Sequence, residues 1–148
     1  NTRSRIIMFT VRNYTSSDYP QIVMLYKQSD LYGGQFDENR DSEEKISHVI
    51  NRDPEAVLVC EAGEKILGTI SLIEDGRVAW LFRFAVEKST NEYEVSKALH
   101  DRALEILSAR GHRQVLVYAP SGNKDFERRY SQFSFKKGNE YTCYWKNI

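Results

Sequence analysis

From Phe9 to Tyr14 apolar and polar residues alternate with the period of a half-buried strand. Thr15-Ser-Ser-Asp18 then supplies N-cap residues for a helix carrying Ile22, Val23, Leu25 and Tyr26. Leu31-Tyr-Gly-Gly34 breaks that helix, and Asp37 to Ser42 reads as a polar loop before a second helix bearing Ile46, Val49 and Ile50. Three apolar runs follow, Ala56–Glu61, Ile66–Ile73 and Val78–Val86, with turns at Gly63 and at Asp75-Gly76; this spacing predicts an antiparallel meander. Gly68, alone inside the middle run, marks a close backbone approach or a bulge. From about Thr90 to Arg110, Val95, Leu99, Ala103, Ile106 and Leu107 share one helical face, and Gly111 ends the helix. The short β-branched run Val115–Ala119 predicts a buried strand closed by the turn Pro120-Ser-Gly122. After it Phe126, Tyr130 and Phe133 recur at i, i+4 and i+7, which predicts a helix whose aromatic face packs on the sheet and points Tyr130 inward at a strand end. The plainest account of those three aromatics is that they fill core. Tyr141, Tyr144 and Trp145 fall on a last strand.

Composition narrows the function classes. The chain has 148 residues, enough for one domain with its own core. Residues 1–8 read as a disordered start or a cloning remnant, with Met8 one candidate beginning, and 9–148 as the single domain. With 21 basic and 21 acidic residues the formal charge is zero, so no global field favours nucleic acid or an anionic membrane, and neither is an expected partner. Any anion site must be local. Cys60 and Cys143 each sit in an apparent strand without paired spacing, which predicts reduced core thiols and an intracellular setting. His48, His100 and His112 are scattered, so no metal is expected. No apolar stretch approaches 20 residues and no signal-peptide pattern is present, which predicts a cytoplasmic protein. The acids Asp37, Glu38, Asp41, Glu43 and Glu44 either draw in a cationic ligand or simply suit a solvated helix N-terminus. The aromatics of the last strand favour edge pairing and hence a homodimer.

The segment Asn123-Lys-Asp-Phe-Glu-Arg-Arg-Tyr130-Ser-Gln-Phe-Ser-Phe135, following the run Val115–Ala119, resembles the GCN5-related N-acetyltransferase superfamily. That family carries a strand, an Asn, a helix with an aromatic-Tyr pair and a closing Gly-Phe in this order. Arg129 stands where an aromatic is usual and Ser134 where glycine is usual; the upstream order of elements fits across nearly the whole chain. The resemblance implies an α/β fold with a mixed, largely antiparallel sheet of six or seven strands and helices on both faces. It implies transfer of an acetyl group from acetyl-CoA to a primary amine of a small molecule or peptide, with a cationic acceptor suggested by the acidic stretch 37–44.

It also implies a site. The strand at Phe84-Ala-Val86 splays from its parallel neighbour at Val115–Tyr118, and cofactor pantetheine pairs with the exposed backbone. The turn Asn91 to Ser96, with Glu94 and Val95 within it, receives the pyrophosphate at a helix N-terminus, and Asn123 joins the cofactor-binding set. Glu94 replaces a glycine there, and Glu92 and Glu94 set negative charge where phosphates would sit, with Lys88 and Lys97 flanking. Ser89 with Glu92, and Asn91 with Glu94, have capping-box spacing, so the helix alternatively satisfies its own amides. Tyr130 is the implied acid for the departing thiolate and the Val86 N–H the donor to the thioester carbonyl. The base is unidentified, with Glu61, Glu74 and Asp75 as candidates through water. Arg83 either pairs with one of these acids or ends in solvent. Two other readings stand beside catalysis: a non-catalytic binding or regulatory module that has lost the pyrophosphate slot, and an acyltransferase with a different donor.

Overall fold

The alternating runs form four strands in a computed structural model that describes residues 8–28 and 36–148. They are β1 (Thr10–Asn13), β2 (Val57–Ala62), β3 (Lys65–Glu74) and β4 (Ala79–Val86), antiparallel and ordered β1-β2-β3-β4. Residues 1–7 and the helix break expected at Leu31–Gly34 lie outside the described residues. The chain divides into two compact units, Asn1–Tyr118 and Ala119–Ile148.

In the first unit helices cover both faces of the sheet. Thr15 caps a short 3-10 turn, its N–H donating to the Asp18 carboxylate at 2.9 Å, and α1 (Tyr19–Gln28) continues from it. The stretch expected as a polar loop instead contains one helical turn, α2 (Glu38–Asp41), before α3 (Glu43–Arg52). Two caps account for it: Asp37 accepts from the Asn39 N–H, and Ser42 accepts from the Lys45 N–H. Ile22, Leu25 and Tyr26 of α1 and Ile46 of α3 pack with Val57, Val59, Ile66 and Ala85 on one side of the sheet. The long helix α4 (Glu92–Ala109) buries Val95, Leu99, Ala103, Ile106 and Leu107 as its periodicity requires. Its end is a Schellman motif, in which the N–H groups of Gly111 and His112 donate to the carbonyls of Ser108 and Leu107, with Gly111 at φ +92°.

Gly68 explains how α4 reaches the sheet. A Cβ on it would lie 2.9 Å from Leu99 Cδ1 and 3.1 Å from both Val86 Cγ2 and Val95 Cγ1. The missing side chain is the space the helix occupies.

Two expected strands are absent among the described residues. Val115–Ala119 contributes a single parallel bridge, Trp80 with Leu116, and is half-buried to exposed rather than buried. Tyr118 stacks on Trp80 at 4.5 Å between centroids instead of entering a ladder, and Pro120 has no N–H to extend one. The sheet therefore has four strands, not six or seven. In the second unit α5 (Lys124–Gln132) forms as predicted, but the residues after it form no strand, and Tyr141, Tyr144 and Trp145 are exposed. A strand exists only through pairing, and that unit contains no second strand to pair with. The edge on which self-association was expected is thus not formed. Cys143, accordingly, is exposed, while Cys60 is a buried thiol pushed up to about 11 by burial. Among the described residues no helix is long and apolar enough to cross a membrane.

Gly68→Ala tests the close approach. Overpacking of this kind costs about 1–3 kcal/mol, read from the urea midpoint. Adding Leu99→Ala should make the double variant less destabilised than the sum of the two single variants; simple additivity would show that Leu99 does not set the clearance.

Candidate active site

The central feature is a change of phase in β4. Before it, the pairs with β3 are Glu74 with Ala79 through Ser71 with Phe82; after it, they are Thr69 with Ala85 and Gly68 with Val86. Arg83 and Phe84 together therefore oppose Ile70, a β-bulge, and Arg83 takes φ +49° in the left-handed region. The phase decides which amides face which neighbour. Leu81 N–H donates to the Leu116 carbonyl at 3.0 Å and Leu116 N–H to the Ala79 carbonyl at 2.9 Å, so before the bulge odd residues serve that edge. Beyond the bulge Glu87 N–H donates to the Leu67 carbonyl at 2.9 Å. Gly68 with Val86 is then a pair without ladder hydrogen bonds, and the Val86 N–H is directed to the edge away from β3. Phe84 is fully buried and Val86 nearly so, and it is the backbone of Val86 that faces that edge.

Arg83 pairs with neither Glu61, Glu74 nor Asp75. Its side chain is 4% exposed and meets the 3% exposed Asp41, Nε to Oδ1 at 3.1 Å and Nη2 to Oδ2 at 2.9 Å. The rings of Tyr26 and Phe82 lie 5.6 and 5.0 Å from the guanidinium carbon. An arginine in an apolar strand signalled a buried partner, but with five acids between 37 and 44 the sequence did not say which. Asp41 is thereby removed from the acidic surface, and Asp37 is occupied as a cap; Glu38, Glu43 and Glu44 stay exposed.

The candidate bases are engaged elsewhere. Glu61 is held by Arg12 at 2.9 and 3.0 Å, Glu74 by His112 and Arg110, and Asp75 by Arg77. Glu74 and Asp75 stand at the hairpin end of β4, seven residues from Val86, a distance of roughly 23 Å along a strand.

At the start of α4, Asn91 is the N-cap residue and makes no side-chain cap. Neither capping box forms: the Ser89 hydroxyl accepts from the Asn91 N–H at 3.1 Å, and the Glu92 N–H reaches only the Ser89 carbonyl at 3.3 Å. Glu94 is exposed, whereas Val95 and Ser96 point their side chains into the core. Lys97 turns to Asp101 at 2.5 Å rather than toward the turn.

In the second unit Asn123 is the N-cap of α5, its Oδ1 accepting from the Phe126 N–H at 3.0 Å. Tyr130 is buried, with Phe126 and Phe135 at 4.6 and 5.0 Å between centroids, and burial pushes its phenol up to about 12 against a smaller opposing effect of Arg129. The helix ends in a second Schellman motif, with Phe135 N–H on the Tyr130 carbonyl and Ser134 N–H on the Ser131 carbonyl. Ser134 sits at φ +64°, which explains why this register suits glycine.

No protein-family model matches the chain. It is 26% identical over 113 residues to an acetyltransferase of Photorhabdus laumondii, covering 76% of each chain. It is 25% identical over 126 residues to an acetyltransferase of Yersinia enterocolitica, covering 85% of this chain and 86% of that one. In fold it is similar to the PaiA N-acetyltransferase of Thermoplasma acidophilum, solved in complex with coenzyme A, with TM-score 0.74 at 19% identity over 88% of this chain and 91% of that one.

The difference between alkaline ultraviolet titrations of the parent and Tyr130→Phe should have its midpoint at about 12. A raised value means that the stability tied to the neutral phenol is complete below pH about 10 and lost as pH rises through the folded value. A midpoint at the ordinary phenol value would place this side chain in water.

Proposed function

We propose that the chain is a GCN5-related N-acetyltransferase, a reading supported by its likeness to two acetyltransferases in sequence and to a coenzyme A-bound N-acetyltransferase in fold, and that it transfers an acetyl group from acetyl-CoA to a primary amine of a small molecule or peptide. The observation that carries the reading is the change of phase in β4 at Arg83, which turns the Val86 N–H to the edge away from β3. Pantetheine amides pair with that edge as a strand would. The Val86 N–H donates to the thioester carbonyl oxygen as it gains negative charge. At the start of α4 the backbone amides and the positive end of the helix dipole take the pyrophosphate, consistent with the absence of a side-chain cap there. The Asn123 side-chain amide nitrogen keeps its hydrogens for the cofactor while its oxygen caps α5.

In the chemical step the neutral amine nitrogen bonds to the acetyl carbon and the carbon–sulfur bond breaks. The Tyr130 phenol gives its proton to the leaving thiolate, and burial keeps that phenol protonated across the neutral range. The proton released by the amine passes to water, since Glu61, Glu74 and Asp75 are each held in ion pairs. Glu38, Glu43 and Glu44, exposed around α2 and the start of α3, favour a cationic acceptor.

The carboxylates of Glu92 and Glu94 favour a second reading, a binding module without turnover, because they oppose phosphate at the α4 turn.

Calorimetric titration separates the two readings. Acetyl-CoA should bind and raise the melting temperature, and Glu94→Gly should tighten it; unchanged or weaker binding in that variant would show the turn facing elsewhere. With a polyamine or lysine-rich peptide as acceptor, Tyr130→Phe should fold normally and lose about 10² to 10⁴-fold in turnover with little change in acetyl-CoA affinity. Turnover within about twofold of the parent would leave Tyr130 as a packing residue.

A further inference from the structure

Arg83 holds a strained backbone and a buried charge at one residue, and each alone is unfavourable. A left-handed φ is rare for a residue with a long side chain, and an arginine buried in a strand needs a partner of fixed geometry. The partner, Asp41, closes α2, a helix of four residues that is too short to stand by itself. Besides meeting Arg83 with both carboxylate oxygens, Asp41 has two further links: its Oδ2 accepts from the Asp37 N–H at 2.9 Å and its carbonyl accepts from the Tyr19 hydroxyl at 2.9 Å. One ion pair thus fastens the acidic turn to the single residue at which β4 changes phase.

The phase has a chemical consequence. Leu81 presents its N–H to the Leu116 edge, and in an unbroken strand Arg83 and Ala85 would do so next. The extra residue transfers that orientation to Val86 and turns the Val86 side chain to the α4 face beside Gly68, with Ala85 on the opposite face. We propose that Arg83 and Asp41 are positioning residues of the transfer site: their buried pair holds β4 in the bulged phase, and the bulged phase aims the Val86 N–H at the thioester carbonyl. This rests on the acetyl-CoA reading above. Neither residue touches the reacting atoms; they act through the backbone between Arg83 and Val86.

The test needs no acceptor. Isotope-edited infrared spectroscopy of [1-¹³C]acetyl-CoA bound to the full chain reads the hydrogen bond to the carbonyl, and titration with coenzyme A, which lacks that carbonyl, reads the rest of the cofactor site. The parent should shift the thioester band to lower frequency and bind acetyl-CoA more tightly than coenzyme A. The double variant Arg83→Met with Asp41→Leu removes both charges together, so no lone buried ion is left to unfold it. It should bind coenzyme A within about threefold of the parent, lose the band shift, and lose about tenfold of the preference for acetyl-CoA. Arg83→Gly with Asp41→Leu accepts the left-handed backbone without strain, lacks the pair and leaves no lone buried ion, and should lose the shift too. A retained shift in either variant would overturn the proposal, because the bulge would then aim the amide without the ion pair. Failure of the parent to bind coenzyme A at all would instead overturn the acetyl-CoA reading, before any variant is compared.

Discussion

The guanidinium of Arg83 and the carboxylate of Asp41 meet where water is excluded, and the architecture around them follows from keeping that pair together. Desolvating two charges costs more than a surface bridge returns, so such a pair persists only with bidentate geometry and further hydrogen bonds on the carboxylate. Both are present. The Asp37 N–H occupies one carboxylate oxygen, and the aromatic faces of Tyr26 and Phe82 flank the guanidinium. Because Asp41 lies on α2 and Arg83 on β4, satisfying the pair ties α2 to the sheet. Because Arg83 is at the bulge, the same contact helps offset a backbone conformation that a plain strand would not adopt. The outward direction of the Val86 N–H is the other side of this arrangement.

Two further groups of ion pairs tie strand and helix ends together. Arg12 of β1 bridges Asp18 and Glu61, tying the first strand to the entry of α1 and to β2. Burial alone would raise the Asp18 carboxyl, but Arg12 and the Thr15 N–H together hold it below the ordinary range. At the far end of the sheet Arg110 gathers Asp53, Glu55 and Glu74, and His112 completes the group on Glu74. Hydrogen bonds from Arg110 keep Asp53 low, and His112 does the same for Glu74. A zero net charge therefore conceals local pairing, which withdraws most of the acids that the sequence offered as bases.

What the sequence revealed and what it hid divide along a physical line. Local periodicity and turn chemistry located β1 to β4, α1, α3, α4 and α5 to within a few residues, because each of these elements buries one face and the burial pattern is written locally. Gly68 was legible for the same reason: a lone glycine in a strand means backbone contact, and the contact is with Leu99 and Val95. The N-caps of α2 and α3 were in plain sight as Asp37 and Ser42, but the single helical turn of α2 has no periodicity to detect. Val115–Ala119 has strand composition without a full ladder, since pairing depends on a neighbour that bends away at Arg83. The Asp41–Arg83 contact spans 42 positions, and no local rule selects Asp41 among five acids.

The turn before α4 brings two tendencies of helix N-termini into competition. Glu92 and Glu94 in the first turn stabilise the helix against its own dipole while no ligand is present. A pyrophosphate bound there would supply the same negative charge more strongly, and the carboxylates would then repel it. Glu94 is exposed and free to swing toward water, so the repulsion is screened, but the free helix still loses the favourable placement of its acids when it takes the anion. On the acetyl-CoA reading proposed above, phosphate contacts at this turn would add less affinity than they would beside a glycine. Recognition of the thioester end would then carry more of the binding, through the backbone of β4. That weight falls on Val86, whose outward amide depends on the bulge, and the bulge has at its centre the residue that pairs with Asp41.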